Sequence, residues 1–306
     1  MSFFSICKPP FLPSYRTNVV RLFANHDWDL GRTHCEPRKA KRGQVFIVGA
    51  GPGDADLLTV KAVKCLQQAD VVMYDWLVDS SVLALIPKRT QRVFVGKRRA
   101  KHSTSQEDIC KQLVEFANQG KVVVRLKGGD PAVFARTTEE TVALTNAEIP
   151  FAIVPGITAA SGASAFTGIP LTERSCAQSV TLLTAHLKDA DEQPDWQKMV
   201  QQLSRGTLVL YMGLSKLAQV TCALIERQVA ADTPVALIEN ACCASQRLYT
   251  TTLYEAARTA ERAHFSGPVL IIVGDVVNHR QSVDTSLFNF ATQSESIFIN
   301  KQQVGC

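Results

Sequence analysis

From Gln44 onward the chain alternates between short runs of consecutive apolar residues and longer stretches with apolar residues at helical spacing. Residues 45–48 are four apolar positions running into glycines, the pattern of a central parallel strand buried on both faces. Apolar residues at 57, 58, 60, 62, 63, 65, 66 and 69 predict a helix over 57–69, with Asp56 as its N-cap. The same reading predicts strands at 71–74, 92–95, 121–126 and 151–154. Helices are predicted at 81–86, 105–119 and 139–147, the second closed by Gly120. Alternation at this spacing implies βαβ units around a mostly parallel sheet.

After Pro155 and Gly156 the texture changes. Residues 158–165 are small and helical, and strands follow at 179–184, 207–212, 235–239, 246–252 and 268–273. They outnumber the helices predicted at 216–228 and 253–263, so the second half is expected to carry a mixed sheet. The fold class is α/β, with two α/β domains and a ligand cleft between them. The expected divisions are a disordered extension over 1–43, an N-terminal domain over 44–154, a C-terminal domain over 155–278 and a polar tail over 279–306.

Composition narrows this picture. With 306 residues, 46% hydrophobic and 20% charged, the chain suits about two globular domains and excludes wholesale disorder. No run of about 18 apolar residues occurs, so no membrane span is expected. Lys8, Pro9 and Pro10 interrupt the apolar start, which argues against a signal peptide; Ser is not enriched, which disfavours a transit peptide. Residues 1–43 hold eight basic and three acidic side chains, and this excess accounts for the whole net charge of +5. The body is neutral and has no field for a nucleic-acid partner. Nine scattered cysteines without metal-ligand spacing read as reduced thiols of a cytoplasmic protein, with no metal expected. Cys242-Cys243 is either a redox or metal pair or two small residues in a turn; the turn is favoured, because vicinal cysteines bridge only with strain.

Three strand-end turns carry the candidate chemistry: Gly49-Ala50-Gly51-Pro52-Gly53-Asp54, Gly128-Gly129-Asp130-Pro131 and Pro155-Gly156-Ile157-Thr158-Ala159. Such turns present backbone groups at the carboxyl edge of a sheet, where open α/β folds bind ligands. The first is not a dinucleotide fingerprint: its third glycine comes one position early, and Asp54 would repel a phosphate. An uncharged or cationic ligand fits better. The Gly128-Gly129 pair removes side chains where a ligand could lie, and Pro131 fixes the exit. Asp130 either accepts hydrogen bonds from a ribose or amine, or makes a turn. Thr158 and Ala159 either cap a helix or contact a nucleoside.

Together with Tyr74-Asp75, Ala135-Arg136, Glu139-Glu140, Gly168-Ile169-Pro170-Leu171-Thr172 and Tyr211-Met212-Gly213, these turns resemble the tetrapyrrole methyltransferases that use S-adenosylmethionine. Within them, the resemblance is to the uroporphyrinogen-III C-methyltransferases, from about Gln44 to Val277. It implies a homodimer that moves two methyl groups from S-adenosylmethionine to C2 and C7 of uroporphyrinogen III, giving precorrin-2. It also implies that Pro52, Gly128, Gly129, Asp130, Val133, Thr158, Ala159, Met212 and Ala241 surround the methyl donor. Asp75 and Lys97, or Arg136 and Glu139, are the implied acid/base groups, and which pair moves the proton stays open. A guanidinium stays protonated at neutral pH, so Arg136 is assigned to binding first. The substrate's eight carboxylates need cations. Arg125, Lys127, Arg136 and Arg174 are available, and Arg136 and Arg174 are preferred, with Glu139 and Met212 also facing the substrate.

The chain departs from the family pattern near this site. Trp76 follows Asp75 where an Arg is usual, Ala132 replaces a Phe, Ala241 replaces a Gly, and Thr137-Thr138 replaces a Gly pair. If either lost glycine had positive φ, a Thr there would be strained by about 1 kcal/mol or more.

Overall fold

A computed structural model describes residues 43–96, 104–185 and 195–288. The expected extension over 1–43, except Gly43, and Lys97 lie outside the described residues.

The first sheet has five strands: β1 (Gln44–Gly49), β2 (Val71–Tyr74), β3 (Gln91–Phe94), β4 (Val122–Lys127) and β5 (Phe151–Val154). Their order is β3-β2-β4-β1-β5, and every neighbouring pair is parallel. Alternate side chains bury on opposite faces. Val48, Val72, Val124 and Leu126 pack on α1 (Val60–Gln68) and α2 (Ser80–Ala84), whereas Val45, Ile47, Met73 and Val123 pack on α3 (Gln106–Asn118) and α4 (Thr137–Asn146). Because all five strands run one way, the loops after β1, β2, β4 and β5 share one edge.

The predicted helix over 57–69 is two pieces. Asp54 caps a 3-10 turn over Ala55–Leu57 through the Asp56 N–H, and the Thr59 hydroxyl, not Asp56, caps α1 through the Ala62 N–H. Ser105, read from sequence as the first residue of this helix, is the N-cap of α3 through the Asp108 N–H, and the expected Gly120 follows its end at positive φ.

The second sheet contains β6 (Ser179–Thr184), β7 (Gly206–Tyr211), β8 (Pro234–Glu239), β9 (Arg247–Thr252) and β10 (Val269–Val273), in the order β6-β7-β10-β8-β9. Only β6 and β7 pair in parallel, so the sheet is mixed as expected. One face packs on α5 (Ala159–Thr167) through Ala160, Ala163, Val209, Ala236, Ile238 and Ile272. The other packs on α6 (Trp196–Leu203), α7 (Leu217–Glu226) and α8 (Ala256–Ala263). Helix α6 was not expected. Residues 279–288, read from sequence as the start of a tail, pack on α5: Arg280 Nε donates to Thr167 O, the Gln281 N–H donates to Gly168 O, and the Phe288 ring lies 5.2 Å from Phe166.

Candidate active site

The loops after β1 and β4 are joined by backbone pairing. The Gly51 N–H donates to Gly129 O at 3.1 Å, and the Gly129 N–H donates to Gly51 O at 2.8 Å. Asp130 brings in the loop after β5: its Oδ2 accepts from the Gly156 N–H at 2.9 Å and its Oδ1 from the Ala132 N–H at 2.7 Å. A Cβ at Gly156 would run into the Gly129 carbonyl oxygen, and one at Gly49 into the Gly156 backbone, so three loops meet at van der Waals limits. Gly129 is different. Its φ is +67° and a Cβ there would meet nothing within 4 Å. A left-handed glycine facing open space, in an otherwise tight junction, is a place where a ligand can lie on the backbone.

The second sheet closes the cradle. Tyr211, at the end of β7, shares a 2.6 Å hydrogen bond with Thr158 Oγ1, and its oxygen accepts from the Ala160 N–H at 3.0 Å. Burial, only partly offset by these bonds, pushes the Tyr211 phenol up, so it stays protonated at neutral pH. The Phe134 ring lies 5.1 Å from the Tyr211 ring, and Met212 follows at φ 54° and half exposed. A Cβ at Gly162 would strike the Pro52 side chain, and one at Gly53 would press on Cys243 Sγ and the Ala241 carbonyl. Pro52, Gly128, Gly129, Asp130, Val133, Thr158, Ala159, Met212 and Ala241 therefore lie on loops that touch one another. They carry one carboxylate and no cation, which suits a ribose or a sulfonium better than a phosphate. Thr158 starts α5 without a side-chain cap bond; its hydroxyl goes to Tyr211 instead.

Asp75 sits at the end of β2. Its Oδ1 accepts from the Leu77 N–H at 3.1 Å and its Oδ2 lies 3.4 Å from Arg125 Nη2. Trp76 beside it is 62% exposed. Arg125 and Lys127 are not free for substrate carboxylates. Both are buried against the fully buried Glu140, with Arg125 Nε at 3.0 Å and Lys127 Nζ at 2.7 Å from its two oxygens. Burial pushes the Lys127 ammonium down, opposed by Glu140. Sequence reading missed this network, yet its signal was present: two cations spaced by two in an apolar strand point to one face.

Arg136 and Glu139 face solvent and pair with each other, Arg136 Nη2 to Glu139 Oε1 at 2.8 Å. The Glu139 hydrogen bond holds the Arg136 guanidinium above its usual value, so it serves as a fixed charge. Phe134, Arg136, Thr138 and Ile153 line an open groove beside the cradle. The condition for strain at Thr137 and Thr138, a positive φ, is not met. Both lie in the first turn of α4, and positive φ falls instead on Phe134 and Arg136. Thr137 Oγ1 donates to Pro131 O and closes the loop on itself. At Ala241 no positive φ is needed; its neighbours Asn240 and Cys242 take it. Arg174 stands apart within one chain. It is exposed on a hairpin near the start of β7, where Thr207 Oγ1 donates to Leu171 O, a strand length from Met212. The hairpin itself is closed by Glu173 and Ala177.

Fold and site together define a two-domain α/β protein that takes a small molecule on loops from both sheets. The family model of the tetrapyrrole (corrin/porphyrin) methylases matches residues 44–257, and the chain belongs to that family. Siroheme synthase of Pseudomonas fluorescens strain SBW25 is 49% identical over 241 residues, 79% of this chain and 52% of that protein. Siroheme synthase of Shigella dysenteriae serotype 1 is 49% identical over 243 residues, with the same coverage of 79% and 52%. The chain thus spans about half the length of these curated relatives, 52% in each. The uroporphyrin-III C-methyl transferase of Thermus thermophilus, solved with S-adenyl homocysteine, is 36% identical with a TM-score of 0.67 over 78% of this chain and all (100%) of that one. A cobalt precorrin-4 methyltransferase from cobalamin biosynthesis is 28% identical with a TM-score of 0.69, covering 80% of this chain and 99% of that one.

Proposed function

We propose that this chain methylates uroporphyrinogen III at C2 and C7, using S-adenosylmethionine, to give precorrin-2. The observation that carries the reading is the open, left-handed Gly129 at the junction of the β1, β4 and β5 loops. S-adenosylmethionine supplies an electrophilic methyl on a sulfonium when bound. The chain's contribution is position, since an electron-rich pyrrole carbon needs in-line approach more than activation. Gly128, Gly129, Pro52 and Val133 offer backbone surface; Asp130, Thr158, Ala159, Met212 and Ala241 complete the enclosure. Asp130 does this by fixing the Gly156 and Ala132 amides.

Loss of one proton must follow each methylation. Asp75 is the acceptor in this reading, its carboxylate steadied by Arg125 and the Leu77 amide, and Lys97 is its acid/base partner, through which that proton passes on to solvent. Arg136 binds a substrate carboxylate, with Glu139 setting its direction. Arg174 contributes a second cation, and a homodimer in the cytoplasm is the working assembly.

The first test separates donor binding from turnover. Asp130→Ala should weaken S-adenosylhomocysteine binding by about tenfold, the loss of one or two charge-assisted hydrogen bonds, in titration calorimetry. Arg136→Ala should leave that affinity unchanged and raise the substrate KM. If Asp130→Ala binds as tightly as wild type, the site assignment is wrong. The likeness to the cobalt precorrin-4 methyltransferase supports a second reading, a later precorrin as substrate. Methylation of such a precorrin, with none of uroporphyrinogen III, would establish it.

A further inference from the structure

We infer that Glu173, Cys176 and His279 form a binding site for one divalent cation of the zinc class, at the end of the second sheet remote from the methyl-transfer loops. One ligand atom from each of the three lies within 4.8 Å of the others. A tetrahedral zinc site with bonds of about 2.0–2.3 Å needs ligand atoms roughly 3.5 Å apart, a short closure from the spacing already present. The ligand set is mixed: a thiolate, an imidazole and a carboxylate. That combination suits a borderline cation and disfavours magnesium or calcium, which take oxygen. Water takes the fourth position.

The ligands come from two segments that are each held in place before any ion arrives. Glu173 and Cys176 lie on one hairpin, where the Ala177 N–H donates to Glu173 O at 2.8 Å, the Glu173 N–H to Ala177 O at 3.0 Å and the Cys176 N–H to Glu173 O at 3.3 Å. Ser175 donates both its N–H and its hydroxyl to Glu173 Oε2, which fixes the carboxylate, as outer partners of a metal ligand do. His279 lies in the 3-10 turn Asp275–His279 after β10. The next two residues are anchored to the end of α5 by Arg280 Nε on Thr167 O and by the Gln281 N–H on Gly168 O at 2.9 Å. A Cβ at Gly168 would collide with Gln281 O, so the chain just after His279 sits tightly against the end of α5. Asp275 adds a second carboxylate charge near Cys176. Ligation through sulfur releases the Cys176 thiol proton to solvent.

Spacing along the chain hides this site. Glu173 and Cys176 are three apart, but His279 follows only after the whole second sheet, so no contiguous pattern forms. The ion ties the hairpin before β6 to the segment after β10, and takes no part in methyl transfer.

The test uses the full chain, stripped of metal and kept reduced with a phosphine. Cobalt(II) is titrated while the thiolate-to-cobalt charge-transfer band and the visible bands of a tetrahedral site are followed. The expected result is saturation at one equivalent and displacement by zinc. Cys176→Ser should abolish the charge-transfer band, and Glu173→Gln and His279→Gln should weaken binding by roughly tenfold or more. Cys222→Ser, at an exposed thiol elsewhere, should change nothing. Zinc should raise the thermal midpoint of the wild-type chain and not that of Cys176→Ser, whose metal-free midpoint matches wild type. No saturable band, or a band that survives Cys176→Ser, overturns the inference.

Discussion

At the scale of single residues, φ and the space around a Cβ separate glycines that look alike in sequence. Gly49 and Gly156 are small because backbones touch; Gly129 takes a left-handed φ of +67° and faces open space. Gly129→Ala should cost about 1 kcal/mol in urea unfolding from left-handed strain, and should weaken S-adenosylhomocysteine binding far more than that strain explains. A variant that loses stability but keeps its affinity would show that the open space is not a ligand site. Restoring glycines at 137 and 138 should likewise disappoint anyone expecting relief of strain. Both threonines are helical and Thr137 is bonded to Pro131, so the double change should lower stability by about 1 kcal/mol and leave donor affinity unimproved. The Cys242 thiol is pushed up to about 12, first by burial and then by Cys243 and Asp54, so native-state alkylation at neutral pH should spare it. That agrees with the turn reading of Cys242-Cys243 and leaves no reactive thiolate there.

At the scale of elements, residue pattern located every strand of both sheets: the central ones are short apolar runs between turn residues, and the edge strand β9 is rich in β-branched threonine. What it could not give was the partner of each polar residue inside those runs. Arg125 and Lys127 read as cations available to substrate carboxylates until Glu140 of α4 is placed across from them. Glu140→Gln leaves two buried cations with a weakened partner and should cost about 3 kcal/mol in urea unfolding, with m unchanged. Helix α6 was legible but overlooked: Trp196, Met199, Val200 and Leu203 form one apolar stripe, and Asp195 caps it through the Lys198 N–H.

Glu239 at the end of β8 shows how charge closes an element. Burial alone would raise its carboxyl, but Arg247 Nε at 2.6 Å and the Gly267 and Ser266 amides at 2.7 and 2.6 Å outweigh it and hold it low. A folded value below the unfolded one gives stability that is complete above the ordinary carboxyl range and lost as pH falls through the folded value. Glu239→Gln should therefore lower neutral-pH stability by about 1–2 kcal/mol and flatten the acid limb of the stability profile. An unchanged acid limb would place that titration elsewhere.

At the scale of the whole molecule, two sheets of different character meet through loops rather than through a shared core. The parallel sheet contributes Gly51, Gly129 and Asp130, and the mixed sheet contributes Tyr211, Met212 and Ala241. The two-part α/β organisation was readable because strict strand–helix alternation gives way after Pro155 to strands that follow one another without an intervening helix, as β8 and β9 do. How the loops interlock was not, since Thr158–Tyr211 and Phe134–Tyr211 join residues far apart in the chain. The departures at Trp76, Ala132 and Ala241 surround a junction whose framework contacts are intact, which is why a working enzyme is the reading proposed. The most direct test is to supply uroporphyrinogen III with S-adenosylmethionine bearing a deuterated methyl and to weigh the product. The account predicts a tetrapyrrole carrying two labelled methyl groups. Saturable binding of both ligands with no labelled methyl in the product would contradict it.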